Sequence, residues 1–524
     1  MNPVAYLDQL AALQAAAWPA AVPRSATYPH GQQPLSEYLR AWARLQPDSV
    51  ALDFYGHSLS YAELDQQSDR CAALLAELGV RPGDRVAVFM PNCPQLHITF
   101  YAILKCGAVY APVSPLSKAL ELSYQLKDSG AQVLFCFDQL LPVVRAVRDD
   151  CGLRHVLASS LSELRPAAPS IPVADLLLAP KISGDDFLDF YPALAACTAA
   201  VPSHRPQLDD LAALNYTGGT TGLPKGCMHS HRDMLYTCAS FVPTALGLDR
   251  DSVLLNFLPE FWIAGENAGL LFAVFAGCRL VLLARWDALA FMAAVQHYRV
   301  IHCGLLVDSA AEVLDHPHVG DYDLRSLQRT GSISFIKKLT RDYRARWQAL
   351  SGCRLFEFSF GMTETHTCDT FTWGLQDDDF DLTSAPTFVG LPVPGTQFKV
   401  CDFASGALLP LGSEGELCVR SPALMQGYWQ RPEESAAALK DGWLHTGDLG
   451  QITEQGFIRY LGRRKEMLKV NGMSVFPSEL EALLGQHSAL LASAVIGRPD
   501  AQRGQQPVAF VVLKPGSAED AQTL

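Results

Sequence analysis

Residues 211–216 form a short apolar run, Leu-Ala-Ala-Leu-Asn-Tyr, which leads into Tyr-Thr-Gly-Gly-Thr-Thr-Gly-Leu-Pro-Lys-Gly at 216–226. The apolar run reads as a buried strand, so a glycine-rich loop sits at a strand's C-terminal end. Ligands of open α/β sheets collect at that edge. The loop packs three hydroxyls (Thr217, Thr220, Thr221), four glycines and one lysine into eleven residues. Glycine lets backbone N–H groups approach oxyanions, hydroxyls donate to them, and Lys225 supplies positive charge. A phosphate-wrapping loop fits this mixture, although turn-forming residues in a plain surface loop share much of it. The run lacks the spacing of a Walker A loop.

The preceding chain supports an α/β fold. Ser60 and Glu63 have capping-box spacing at the start of a helix running towards Leu78, with Leu64, Cys71, Leu74, Leu75 and Leu78 on one face. Strand Val86–Met90, a helix around Gln95–Lys105 and the run Gly107–Pro112 follow. Strands alternating with helices predict a mostly parallel sheet. Residues 165–205, richer in Pro, Ala and Asp, read as a connection between two α/β subdomains. From about 385 to 460, strand-like runs (Gln397–Cys401, Gly415–Arg420, Phe457–Tyr460) alternate with turns, predicting a small β-rich, barrel-like subdomain.

Composition narrows the function classes. A chain of 524 residues exceeds what one core normally supports. Its 49% hydrophobic and 18% charged residues make a globular balance. A net charge of −13 argues against a nucleic-acid partner. The fourteen cysteines are scattered singly, without zinc or disulfide-framework spacing, which suits buried thiols in a reducing cytoplasm. Nothing before Arg24 supplies a signal peptide's basic start, and the most apolar run, Ala268–Ala284, is too short to span a bilayer.

Three further segments join the phosphate loop: Phe358-Ser-Phe-Gly-Met-Thr-Glu-Thr365, Trp443-Leu-His-Thr-Gly-Asp-Leu-Gly450 and Gly462-Arg-Arg-Lys-Glu466. Together they resemble the adenylate-forming superfamily of acyl- and aryl-CoA synthetases, peptide-synthetase adenylation domains and luciferases. The phosphate loop departs from that family at Gly218, where Ser is usual. The resemblance implies that Thr217, Gly218, Gly219, Thr220, Thr221, Gly222 and Lys225 contact ATP, with Thr221 and Lys225 catalytic. It implies that Thr363 donates to the α-phosphate and that Glu364 is catalytic and holds Mg²⁺, a cation that prefers hard oxygen ligands. Taken alone, Glu364 reads as a solvated loop carboxylate. Phe360, Gly361 and Met362 complete the nucleotide contacts, with Phe360 replacing Tyr against adenine. Gly331 and Ser332 stand in the run between adenine and acyl group. Asp448 is implied to accept from both ribose hydroxyls, beside Arg463, and Lys465 to be the hinge of a mobile C-terminal domain.

Within the superfamily, Val475-Phe-Pro-Ser-Glu-Leu-Glu481 resembles the CoA ligases, in which Gly472 lines the tunnel for the pantetheine arm. Candidate acyl-pocket residues are His231, Phe261, Trp262 and Gly265. Trp262 stands where His is common and either gates an apolar channel or packs in the core. His231 either faces the pocket or caps a helix. Apolar surroundings favour a fatty or aromatic acid. The family's catalytic lysine segment has no counterpart here, and Lys514 matches an internal strand and turn. The C-terminal domain is therefore expected to be incomplete and adenylation weak, by about 10²–10³-fold.

The expected architecture is an N-terminal domain over 1–464 and a small α+β domain over 465–524. The expected activity is ATP-, Mg²⁺- and CoA-dependent conversion of a medium- or long-chain fatty acid to its acyl-CoA through acyl-AMP. The alternatives are an aryl-acid ligase, a carrier-protein-loading enzyme, and a truncated protein that binds nucleotide without turnover. The resemblance also allows a homodimer.

Overall fold

In the computed structural model, the described residues are 2–217, 223–334, 337–383, 387–466, 468–470, 473–475, 477–485, 487, 489–500, 504–517 and 520. The capping box is present: Ser60 caps the helix Tyr61–Glu77, and the Glu63 carboxylate returns to the Ser60 N–H at 2.8 Å. The helix Pro94–Lys105 is buried on every face. Even Lys105 is enclosed there, 2.8 Å from Asp69. Such all-round burial explains why this stretch shows no polar stripe.

Two seven-stranded sheets flank these helices. The first runs Leu188–Asp189, His155–Ser159, Val133–Phe137, Arg85–Phe89, Val109–Pro112, Leu211–Thr217, Lys225–Ser230. All neighbours are parallel except the final hairpin. The second runs Leu355–Glu357, Arg329–Ile333, His302–Leu306, Val253–Asn256, Arg279–Leu282, Val50–Phe54, His57–Ser60. Val50–Phe54 precedes every strand of the first sheet yet joins the second, so the subdomains are not consecutive blocks of sequence. A continuous apolar core links both sheets through the buried helices. The stretch 165–205 is more than a connection, because Leu188–Asp189 forms an edge of the first sheet.

The β-rich subdomain is antiparallel, in the order Thr370–Phe371, Thr387–Pro392, Ile458–Arg463, Trp443–Ile452, Glu414–Arg420, Gln397–Cys401. Among the described residues its end strands do not pair, so the expected barrel is an open sheet. The helix Pro3–Ala17 instead covers the apolar face, with Tyr6 and Leu10 packed among Phe360, Val389, Phe398 and Leu417. A last antiparallel sheet (Met473–Val475, Leu468–Val470, Gly504–Leu513, Leu490–Asp500) with the helix Pro477–Leu484 makes the small α+β unit.

Candidate active site

The phosphate-loop hairpin organises the site. Leu211–Thr217 and Lys225–Ser230 pair antiparallel, with Thr217 opposite Lys225 at the neck. The tip residues Gly218, Gly219, Thr220, Thr221 and Gly222 lie outside the described residues, as does Gly472. Residues 426–429 run along the hairpin's second strand, with the Trp429 N–H donating to Gly226 O at 2.8 Å and Met228 to Gly427 O at 3.0 Å. This pairing delivers Tyr428, which sequence reasoning missed because an isolated Gly-Tyr-Trp run carries no distinctive spacing. Lys225 Nζ lies 4.0 Å from the centre of the Tyr428 ring. The Tyr428 hydroxyl donates to Glu364 Oε1 at 2.7 Å. Lys225, Tyr428 and Glu364 thus form one constellation, in which a cation rests on an aromatic face whose hydroxyl holds a carboxylate.

Glu364 and Thr363 occupy a short helical turn that Gly361 permits. A Cβ at Gly361 would lie 2.5 Å from the Cys368 nitrogen. His366, Thr367 and Cys368 then follow one another in left-handed backbone, with φ of 55°, 56° and 60°. Each such non-glycine residue costs about 1–2 kcal/mol. The turn is fixed by Thr367 N–H to Met362 O at 2.9 Å and Asp369 N–H to Phe360 O at 2.8 Å. Strain held this firmly is typical of functional sites.

Asp448 and Arg463 face each other across paired strands. Arg463 Nε approaches Asp448 Oδ1 to 2.9 Å, yet that oxygen receives no well-aligned hydrogen bond. Burial pushes the Asp448 carboxyl up to about 7, Arg463 pulls it down, and Glu364 pushes it up further. Glu364 is therefore close enough for its charge to be felt. Phe360 packs against Phe398 and Tyr460 at ring separations of 6.0 and 5.8 Å and is only 8% exposed, so little of its face is open to a base. Lys465 lies in an exposed turn between Ile458–Arg463 and Leu468–Val470.

For His231 and Trp262 the structure removes one of the two alternatives each, the helix cap and the core. His231 opens the helix His231–Phe241, and Ser230 is its cap. The ring of His231 is buried near Asp210 and His204, and burial pushes its pKa down to about 4. It is His229, two residues earlier, that touches the motif, with Nε2 2.7 Å from Thr363 O. Trp262 is 52% exposed and packs edge-on to Phe261 at 5.5 Å, so it is not in the core. Gly265 is required by close backbone packing, since a Cβ there would lie 2.0 Å from Pro259 O. The Phe358 ring covers Gly331, and the Ser332 hydroxyl donates to Phe356 O at 3.0 Å, so that side chain serves the sheet.

The region is also less apolar than expected. Asn215 and His229 lie on one face of the hairpin, and behind them Glu266, Asn267 and His366 are buried together. Asn215 Nδ2 donates to Glu266 Oε2 at 2.6 Å, and the rings of His229 and His366 meet edge-on at 4.9 Å. Elsewhere, Glu416, Cys418 and His445 form a group with metal-ligand spacing among the described residues. His445 Nδ1 is already paired with Glu416 Oε2 at 2.7 Å.

Comparison with known proteins agrees with this geometry. The AMP-binding enzyme family matches residues 39–429, and its C-terminal domain matches residues 479–524. The second match falls on the stretch expected to be incomplete, so the expectation of weak adenylation is without support. The chain is 31% identical over 499 residues to a long-chain-fatty-acid–CoA ligase of Bacillus subtilis (strain 168), covering 91% of this chain and 85% of that protein. It is 32% identical over 508 residues to 4-coumarate–CoA ligase-like 9 of Oryza sativa subsp. japonica, covering 96% and 86%. The structure of an anthranilate CoA ligase in complex with anthranoyl-AMP superposes with a TM-score of 0.80 at 25% identity, covering 93% of this chain and 88% of that one. Among the described residues no helix is long and apolar enough to cross a membrane. With its phosphate-loop hairpin, its Thr363–Glu364 turn and its Asp448–Arg463 pair in one constellation, this chain belongs to the AMP-binding enzyme family, as an acyl- or aryl-CoA ligase.

Proposed function

We propose that the chain activates a fatty acid of medium or long chain with ATP and transfers it to CoA. In the first half-reaction a carboxylate oxygen attacks the α-phosphorus, forming acyl-AMP and releasing pyrophosphate. In the second the CoA thiolate attacks the acyl carbon and AMP leaves. The observation that carries this reading is the convergence of Lys225, Tyr428 and Glu364 beside Asp448 and Arg463. Two anions must meet in the first step, and Lys225 offsets their repulsion. The Glu364 carboxylate, held by Tyr428, suits a hard cation such as Mg²⁺, which when bound neutralises phosphate charge. Asp448 and Arg463 orient the ribose, Phe360 offers a narrow aromatic edge to adenine, and Thr221 and Thr363 donate to phosphate. Gly472 leaves room for the pantetheine arm, and Lys465 is the hinge on which the small domain turns between half-reactions. Buried thiols suit a cytoplasmic setting.

Relatives named for long-chain fatty acids support the fatty reading. An aryl acid is the second reading, favoured by the coumarate-named relative and the anthranilate ligase fold. The test is acid-dependent AMP and pyrophosphate release with CoA, across straight-chain acids, benzoate and coumarate. Each methylene buried adds about 0.8 kcal/mol of binding, so kcat/KM rising with chain length supports the fatty reading. Preference for benzoate or coumarate sinks it, and product only with carrier protein overturns CoA as acceptor.

A further inference from the structure

The last turns of the helix Ala119–Ser129 grip both ends of the glycine-rich loop. Tyr124 and Asp128 stand four residues apart in this helix and so share a face. The Tyr216 hydroxyl donates to Asp128 Oδ2 at 2.8 Å, where the chain enters the loop. The Tyr124 hydroxyl donates to Pro224 O at 2.7 Å, where the chain leaves it. Arg431 Nη2 donates to the other Asp128 carboxylate oxygen at 2.7 Å, and the Trp429 indole N–H donates to the Asp128 carbonyl at 3.0 Å. The Arg85 guanidinium lies 5.1 Å from the centre of the Trp429 ring. One end of a helix therefore joins the loop's two flanks to a segment as far as 303 positions away.

Asp128 does not serve its own helix. It stands in the last turn, where the negative end of the helix dipole disfavours a carboxylate. Its side chain is only 7% exposed, and a charge so covered is costly unless paired. Tyr216 and Arg431 supply that pairing. Each anchor point is also the immediate chain neighbour of a residue at the site: Tyr216 precedes Thr217, Pro224 precedes Lys225 and Trp429 follows Tyr428. Successive side chains of a strand point to opposite faces, so Tyr216, held on one face, fixes the direction of Thr217 on the other. The Pro224 carbonyl shares a planar peptide unit with the Lys225 nitrogen, so the bond from Tyr124 holds the Lys225 backbone directly. Tyr428, beside Trp429, carries Lys225 on its ring and holds Glu364.

We propose that Asp128 and Tyr124 are positioning residues for the adenylation half-reaction, acting through Tyr216, Pro224, Trp429 and Arg431 to set Thr217, Lys225 and Tyr428 against the triphosphate. This inference rests on the acid-ligase reading given above. Neither residue touches the nucleotide; each fixes the frame from which other groups reach it. Such a frame matters where the triphosphate must be held in line for attack at the α-phosphorus, because small misplacements of holding groups slow a reaction steeply. It matters less once acyl-AMP has formed and pyrophosphate has left, since the second half-reaction has no triphosphate to hold.

The experiment measures both half-reactions in the wild type and in Asp128→Asn, Tyr124→Phe and Tyr216→Phe. Acid-dependent ATP–pyrophosphate exchange reports the first, and thioester formation from supplied acyl-AMP and CoA reports the second. Asp128→Asn keeps the side-chain shape and removes the charge that Arg431 and Tyr216 share. The expected result is that it lowers kcat/KM for ATP in exchange at least about tenfold and leaves thioester formation within about twofold of wild type. Tyr124→Phe and Tyr216→Phe, which each remove a single hydroxyl, should show the same split to a smaller degree. If Asp128→Asn does not fold, these two variants decide by the same ratio. Equal loss in both half-reactions, with a lowered Tm, would make the clamp a support of the fold and overturn the inference. Exchange at the wild-type rate in all three variants overturns it as well, and either outcome leaves the ligase reading standing. No exchange by the wild type with any acid sinks the ligase reading and this inference together.

Discussion

At the residue scale, Tyr428 is the side chain on which the site turns. Its hydroxyl holds Glu364, and its ring carries Lys225. Tyr428→Phe keeps the ring and removes one hydrogen bond to a carboxylate, an interaction of about 1.5–3 kcal/mol. Pyrophosphate exchange should therefore fall about 10- to 100-fold while the affinity for CoA changes little. An unchanged rate would remove Tyr428 from the site. Asp448 supplies a pH prediction. Its carboxyl is raised on folding from 3.8 to about 7, so the native state binds more protons than the unfolded state across that interval. The stability from this group is fully present below 3.8 and is lost as pH climbs towards about 7. If Asp448 accepts from the ribose hydroxyls as proposed, nucleoside binding runs the other way, because the hydroxyls need a charged acceptor. Adenosine, which has no phosphate to titrate, should bind about tenfold tighter at pH 8 than at pH 6. The trend should vanish in Asp448→Asn; titration calorimetry of both proteins decides.

At the element scale, the Phe358–Asp369 turn works because Gly361 allows it to close. The clash of a Cβ with the Cys368 nitrogen in Gly361→Ala must be relieved by shifting backbone that carries Thr363 and Glu364. The expected outcome is at least a tenfold loss of adenylation with the circular dichroism spectrum unchanged. Normal kinetics would show that the turn tolerates rearrangement. Much at this scale was legible in the chain. The Ser60 capping box, the helix before Lys105 and the strand before the phosphate loop follow local rules. Trp262 and His231 were not legible, because which face of a short segment is buried depends on what packs against it. The same limit hid the N-terminal helix over the antiparallel sheet, which leaves that sheet open where a barrel was expected.

At the scale of the whole molecule, a turn at 464–466 leads from the antiparallel sheet to the small α+β unit. If Lys465 is the hinge, Lys465→Pro restricts its backbone and should slow one half-reaction by more than about tenfold, leaving the other near wild type. Pyrophosphate exchange and thioester formation from supplied acyl-AMP measure the two separately, and equal loss in both refutes a hinge. Membership of the AMP-binding enzyme family makes such separable half-reactions testable on this chain as it stands.

Sequence alone determined the α/β class, the helix capped at Ser60 and the strand that leads into the glycine-rich loop, because glycine spacing, caps and apolar runs act over a few residues. Tertiary structure decided which distant groups meet. Tyr428 reaches Glu364 across 64 positions by pairing along the hairpin, and Glu266 meets His366 across 100 positions by burial against a strained turn. Neither meeting has a local signature, because each contact depends on packing between elements and not on either segment's own preference.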